Sequence, residues 1–212
     1  ALVILTIKSR RFFSVLLEHD DVLPSLMAAK SYDVKNKEII FDDSVYDKTT
    51  GNWVSSLDKP SPLEAYKEYQ RILEVSQDKK SGFITISTEH ISPVFAKEFG
   101  DLIINEINSL TRKKELEESE KALTFLKTQI PLTSLIEIKT SMNRLIQVQL
   151  EKQMMAYIKE DYIIETIEPP FIAEEKIKPQ RLRMLLIGLL VGISTSISYV
   201  LLKGYFLFHK KT

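Results

Sequence analysis

Apolar and polar positions change their period several times along this chain, and each change predicts an element. Leu2 to Leu5 is a continuous run of aliphatic and β-branched residues, which predicts a buried strand. Ser9 can then cap a helix running to about Glu18, and a short helix over Val22 to Ala29 follows the polar break at Asp20 and Asp21. Lys30 to Lys59 holds no long period. It predicts irregular chain with a strand at Glu38 to Phe41 and turn residues at Thr50, Gly51 and Asn52. Ser61-Pro62-Leu63-Glu64 is a capping box with proline at the first helical position, so a helix is expected from Pro62 to about Val75. Gly82 to Ser87 alternates as a strand, and Ser92-Pro93 restarts helix.

From Pro93 only Gly100 interrupts good helix formers before Pro131, which predicts one rod of about 58 Å from Ser92 to Ile130. Its first third carries an apolar stripe of Phe95, Phe99, Leu102, Ile103, Ile107 and Leu110. Thr111 to Lys121 has only Leu116. Intrahelical pairs such as Glu117 with Lys121 can hold this stretch helical. Glu117, Glu118 and Lys121 are therefore expected on an arm surface that stands in solvent or lines a boundary between subunits. Pro131 ends the rod, and Ser134-Leu135-Ile136-Glu137 should cap a return helix bearing Leu135, Ile138, Met142, Leu145, Ile146, Leu150, Met154 and Ile158. Asp161 to Ile167, DYIIETI, alternates as a closing strand, and Glu168-Pro169-Pro170 stops its pairing. The pattern predicts an α+β base with a projecting helical hairpin.

Met184 to Leu202 is a stretch of 19 residues without a charge. As a helix it would measure roughly 28 Å, close to the hydrocarbon thickness of a bilayer. Its length and the absence of a polar stripe favour a transmembrane helix over a core helix. Arg181 and Arg183 on one side, and Lys203, His209, Lys210 and Lys211 on the other, can reach the two headgroup layers, so charge alone does not set its orientation. Gly188, Gly192 and Ser196 share a four-residue ridge that suits close approach of a second helix. Pro169, Pro170 and Pro179 form a stiff collar ahead of the span, fixing φ and disfavouring helix.

Composition narrows the chemistry. A formal net charge of zero and the lack of a basic stripe with interleaved aromatics argue against nucleic acid as a partner. Cysteine is absent, which removes disulfides and thiolate metal sites and suits an extracytoplasmic domain. Glu18-His19-Asp20-Asp21 is an acidic cluster with a histidine, but a hydrolytic metal site needs several convergent ligands, and His90 and His209 lie far off in sequence. A solvated helix end is the expected reading. The chain has no phosphate-binding loop, dinucleotide fingerprint or nucleophile elbow, and only six glycines with which to build one. No catalytic residue, cofactor site or metal site is assigned.

The segment GFITISTEHISPVFAKEFGDLIINEIN, the long charged helix, the return hairpin, DYIIETIEPPFIAEEKIKP and the last apolar segment together resemble the Wzz family of polysaccharide co-polymerases, the O-antigen chain length determinants. The most specific parts are Ser92-Pro93 and Ala96-x-x-Phe99 after a strand, and the proline-basic collar beside the span. The resemblance implies a periplasmic domain held in the bacterial, Gram-negative inner membrane between two helices, the first of them preceding Ala1. It implies a base over residues 1–91, long and return helices over 92–160, a closing strand and collar over 161–183, a span over 184–208 and a cytoplasmic tail over 209–212. It also implies a non-enzymatic homo-oligomer, a ring or bell, that sets the modal length of lipopolysaccharide O-antigen made by a Wzy-type polymerase. Membrane lipid and the growing polysaccharide are the other implied partners. An adaptor for a tyrosine autokinase in capsule or exopolysaccharide export is the alternative. Lys203 to Thr212 is too short a tail to carry a fused kinase.

Overall fold

The computed structural model describes residues 2–54, 59–159, 161–172, 185–196 and 199. The chain falls into two units, Ala1–Ile172 and Ala173–Thr212. The first is α+β, as the pattern predicts.

Its N-terminal apolar run is a helix, α1 (Leu2–Ile7), rather than the expected strand. Ile7 is fully buried and Val3 and Ile4 pack on the core, whereas Leu2 and Leu5 are exposed. That one-sided burial has a helical period, hidden in the sequence because every position from Leu2 to Leu5 is apolar. Ser9 caps α2 (Arg10–Leu16) by accepting the Phe12 N–H, and α2 buries Phe12, Phe13 and Leu16. A short α3 (Val22–Met27) follows. The segment expected to be irregular then forms two antiparallel hairpins, β1 (Ala29–Asp33) with β2 (Glu38–Phe41) and β3 (Tyr46–Asp47) with β4 (Asn52–Trp53). Only β2 is visible in the sequence pattern.

The capping box at Ser61 and Glu64 forms in both directions and starts α4 (Pro62–Ile72). The helix stops short of Val75 because Leu73 turns extended and opens β5 (Leu73–Gln77). β5 pairs antiparallel with β6 (Ile84–Thr88), from Leu73 opposite Thr88 to Gln77 opposite Ile84. Gly82 supplies the left-handed conformation in their turn, φ 78°. The described residues thus hold three two-stranded sheets.

The core joins α1, α2, α3, α4, β5 and the first part of the long helix α5 (Pro93–Gln129). An aromatic line runs through it. Phe13 stacks on Tyr69 at 4.7 Å between centroids, Tyr69 meets Phe99 edge-on at 6.0 Å, Phe99 stacks on Phe95 at 5.3 Å, and Phe95 touches the His90 ring at 4.5 Å. The Tyr69 hydroxyl is buried, which raises its pKa, and it donates to the Ile7 carbonyl at 2.8 Å. That bond satisfies one of the carbonyls left open at the end of α1.

α5 has 37 residues and a length of about 55 Å, and it runs through Gly100 without a break. Ser92 caps it by accepting the Phe95 N–H. A 3-10 turn over Ile130–Leu132 contains Pro131, and α6 (Ile136–Ile158) returns antiparallel. The predicted capping box at Ser134 does not form. The N-cap is Leu135, without a side-chain bond, since α6 begins one residue later than the box requires. The closing segment is also a correction: Asp161–Ile167 forms no strand. Tyr162, Ile164 and Thr166 are half-buried while their neighbours are exposed, so the alternation is real. Its backbone is held by a side chain of α5 instead of by a sheet.

In the second unit residues 185–196 are helical. Ser194, Thr195 and Ser196 bond back to carbonyls of Leu190, Val191 and Gly192 at 2.9–3.0 Å. Among the described residues no helix is long and apolar enough to cross a membrane. Met184, 197–198 and 200–208, parts of the predicted span, lie outside the described residues, as do Arg181, Arg183, His209, Lys210 and Lys211.

Candidate functional site

Among the described residues the seam between α5 and α6 is the most extensive contact between helices, and it explains why the arm holds together despite its charge. Ser119 is buried and its hydroxyl donates to the Gln149 carbonyl at 3.0 Å. One turn away Lys152 reaches across to Glu115 at 2.8 Å, and this bond raises the Lys152 pKa. The same register brings Leu123 and Leu126, both buried, towards the half-buried Ile146 and Met142. The polar middle of α5 is therefore not solvated all round. Its inner face is covered by its own return helix, and the sequence signal for this was the small Ser119 among longer side chains.

The outer faces of the arm carry the residues singled out in the sequence. Glu117, Glu118 and Lys121 are all exposed. The ion pair on this face joins Lys114 to Glu118 at 3.7 Å, while the expected Glu117–Lys121 pair is not formed. Pairs so exposed contribute little to folding, a few tenths of a kcal/mol at most. Glu117 instead lines a shallow groove of about 380 Å³ with Ser109, Arg112, Lys113, Leu116 and Glu120.

The less expected feature belongs to α6. At about 100° per residue, Met142, Ile146, Gln149, Gln153 and Ala156 point at α5, and of these only Ala156 is fully buried. Apolar residues flank that stripe on both sides. Ile138, Leu145, Val148 and Met155 lie along one flank and Leu150, Met154 and Tyr157 along the other, all between 41% and 76% exposed. A single partner helix covers about a third of the apolar arc. Contiguous exposed apolar patches of this kind occur at contact sites for proteins, membranes or ligands.

The collar is only partly described. Pro170 packs on α5 at Gly100, where a Cβ would come within 3.3 Å of the proline Cγ. Pro169 is exposed, and Pro179 lies outside the described residues. Within the helix over 185–196, no atom of the described residues comes within 4 Å of a Cβ built on Gly188 or Gly192, and Ser196 continues their ridge with its hydroxyl folded back on the Gly192 carbonyl.

His19 Nε2 lies 3.1 Å from Glu106 on α5, tying the end of α2 to the long helix, while Asp20 and Asp21 point to solvent. Among the described residues no group of three or more histidine and acidic side chains gathers closely enough to hold a metal ion. Comparison of the sequence with protein-family models and with curated proteins finds no match.

Proposed function

We propose that the protein is a membrane-anchored, non-enzymatic scaffold that assembles as a homo-oligomer and sets the length of a surface polysaccharide made by a separate, Wzy-type polymerase. The observation that carries this reading is the arm: a hairpin of 37 and 23 helical residues whose return helix has apolar flanks on both sides of its own seam. A helix with two uncovered flanks suits a closed ring, in which each protomer gives one flank to the neighbour on either side. The resemblance in sequence order to polysaccharide co-polymerases supports the substrate class. The uncharged stretch Met184–Leu202 supplies the anchor in this reading, with the Gly188, Gly192, Ser196 ridge as a second point of association. The main domain then lies in the periplasm.

The test is a gel ladder of surface polysaccharide from cells with and without the protein. Loss should leave polymer synthesis running while a clustered length distribution becomes broad and dominated by short chains. Abolished synthesis, or an unchanged ladder, would overturn the reading.

A further inference from the structure

The loop that mounts the long helix on the base contains a histidine whose two ring nitrogens have opposite, fixed duties. Nδ1 of His90 lies 3.1 Å from the Ser92 backbone nitrogen, and Nε2 lies 2.9 Å from the Ser25 carbonyl oxygen. A backbone N–H can only donate and a carbonyl can only accept, so Nδ1 must be the bare acceptor and Nε2 must carry the hydrogen. One neutral tautomer satisfies both bonds. An imidazolium satisfies only one, because a protonated Nδ1 would face the Ser92 N–H donor to donor.

The partners make this more than a local detail. Ser25 is buried near the end of α3, and Ser92 is the N-cap residue of α5. His90 is thus a strap between a short base helix and the point where the arm begins. Its ring also lies against Phe95, the last member of the aromatic line. We propose that His90 is an acid-released latch: its neutral ring holds the root of α5 to α3, and protonation opens the Glu89–Ser92 loop and loosens the mounting of the arm.

The charges around the ring do not cancel this. α3 has no charged residue and offers only its backbone. α4 brings Glu68 and Arg71, which act on the ring in opposite directions. Those two are bound to one another, and Glu89 further favours the charged Arg71. α5 brings the Phe95 ring and no acidic residue in its first turn, and Lys97 there is paired with Asp101. Burial is the largest influence on His90 and holds its pKa below the ordinary histidine value. The unfolded or opened chain therefore binds the proton more readily than the latched one. The latch is fully engaged above about pH 6.5 and is lost as pH falls from there through the lower, folded-state pKa.

This inference stands apart from the proposed function and is tested on the protein alone. The full chain in detergent micelles is followed by hydrogen exchange, corrected for the chemical exchange rate, in peptides spanning Glu89 to Phe99. Opening of this segment should rise by up to about tenfold per pH unit below pH 6.5, as a single linked proton requires. His90→Asn keeps an acceptor near Nδ1 and His90→Gln keeps a donor near Nε2, and neither titrates. The pH step should vanish in both. A wild-type segment with flat exchange between pH 7.5 and pH 5, or a step that persists in both variants, overturns the latch. If the variants unfold, carbon-13 titration of the His90 ring in the wild type decides: it must change together with the Ser92 and Phe95 amides. A ring that protonates without opening them, or opening with a neutral ring, refutes the proposal.

Discussion

The carboxamide of Asn108 grips the backbone of Ile164 at both of its polar groups. Oδ1 accepts the Ile164 N–H at 2.9 Å and Nδ2 donates to the Ile164 carbonyl at 3.0 Å, while Oδ1 also accepts the Ile163 N–H at 3.0 Å. Asn108 is 2% exposed. One side chain of α5 thereby does for the closing segment what a neighbouring strand would do. It also fixes where the chain leaves the hairpin and rejoins the base.

Asn108→Ala should therefore cost about 1 to 3 kcal/mol, since three hydrogen bonds from one buried side chain are lost and water can replace them only in part at the half-buried Ile164. Asn108→Asp keeps the acceptor for both N–H groups but buries a carboxylate and sets one of its oxygens against the Ile164 carbonyl, so it too should fall below wild type. Urea unfolding midpoints of the three proteins give the order directly. Equal midpoints for alanine and wild type would mean that the grip contributes nothing.

A second fastening lies about two turns earlier on α5, where Pro170 sits over Gly100. A Cβ on Gly100 would stand 3.3 Å from Pro170 Cγ and 3.7 Å from Thr88 Oγ1. Thr88 is tied by its hydroxyl to the Ala96 carbonyl and cannot give much, but the half-exposed proline can. The helix gains about 1 kcal/mol from alanine over glycine. Gly100→Ala should then remain within about 1 kcal/mol of wild type. Gly100→Leu should push Pro170 off and expose residues 161–172, seen as faster cleavage there by a broad protease at unchanged cleavage of α4.

These two fastenings show where sequence reasoning stops. The alternation in Asp161–Ile167 correctly predicts which residues turn inward, yet nothing in that stretch says that an asparagine 55 residues earlier takes its hydrogen bonds. The caps at Ser9, Ser61 and Ser92 were legible because their partners lie three residues away. α1 was misread because a short, uniformly apolar run has no period to tell helix from strand. The expected end of α4 at Val75 runs into β5 because Val75 continues the spacing of Ala65, Tyr69 and Ile72, while the pairing that overrides it comes from β6. The pattern names Ile138, Leu145, Leu150 and Met154 on α6 but not Val148, Met155 or Tyr157, and only the structure shows that α5 leaves both flanks bare.

The hairpins between α3 and α4 carry a pH dependence of their own, separate from the latch at His90. Asp33, Asp42 and Asp47 each accept from backbone N–H groups two or three residues on, and their pKa values are lowered, chiefly by the Lys35 N–H at Asp33, by the Ser44 hydroxyl and N–H at Asp42, and by the Thr49 hydroxyl and N–H at Asp47. Asp78 does the same in the β5–β6 turn. Their folded-state values lie below the unfolded ones, so this stabilisation is complete above about pH 4 and is lost as pH falls through the lowered values. Circular dichroism and exchange in residues 29–54 should therefore show fraying only under strong acid. Asp47→Asn, which keeps an acceptor but cannot ionise, should remove part of that acid response without unfolding α5. Fraying that is complete by pH 5 would show that some other group controls these turns.

The bare flanks of α6 separate folding from assembly. Leu145 is 50% exposed and Val148 41% exposed in the isolated chain, so replacing both with glutamate removes little that the monomer had buried. Exposed substitutions of this kind usually stay within about 0.5 kcal/mol each. The seam residues Ser119, Gln149, Glu115 and Lys152 are untouched, and the double variant should keep its helical signal and unfolding midpoint. In a ring these same positions would meet a neighbour, where two unpaired carboxylates are costly to bury. Sedimentation in detergent should show the wild type as an oligomer and the double variant as a smaller species, with a broadened polysaccharide ladder in cells. Reversing Glu117 and Glu118 to lysine probes α5 in the same way and should alter assembly or polymer length while the base stays folded. If both variants assemble like the wild type and give a normal ladder, the arm is not the joint between protomers and the ring reading fails with it.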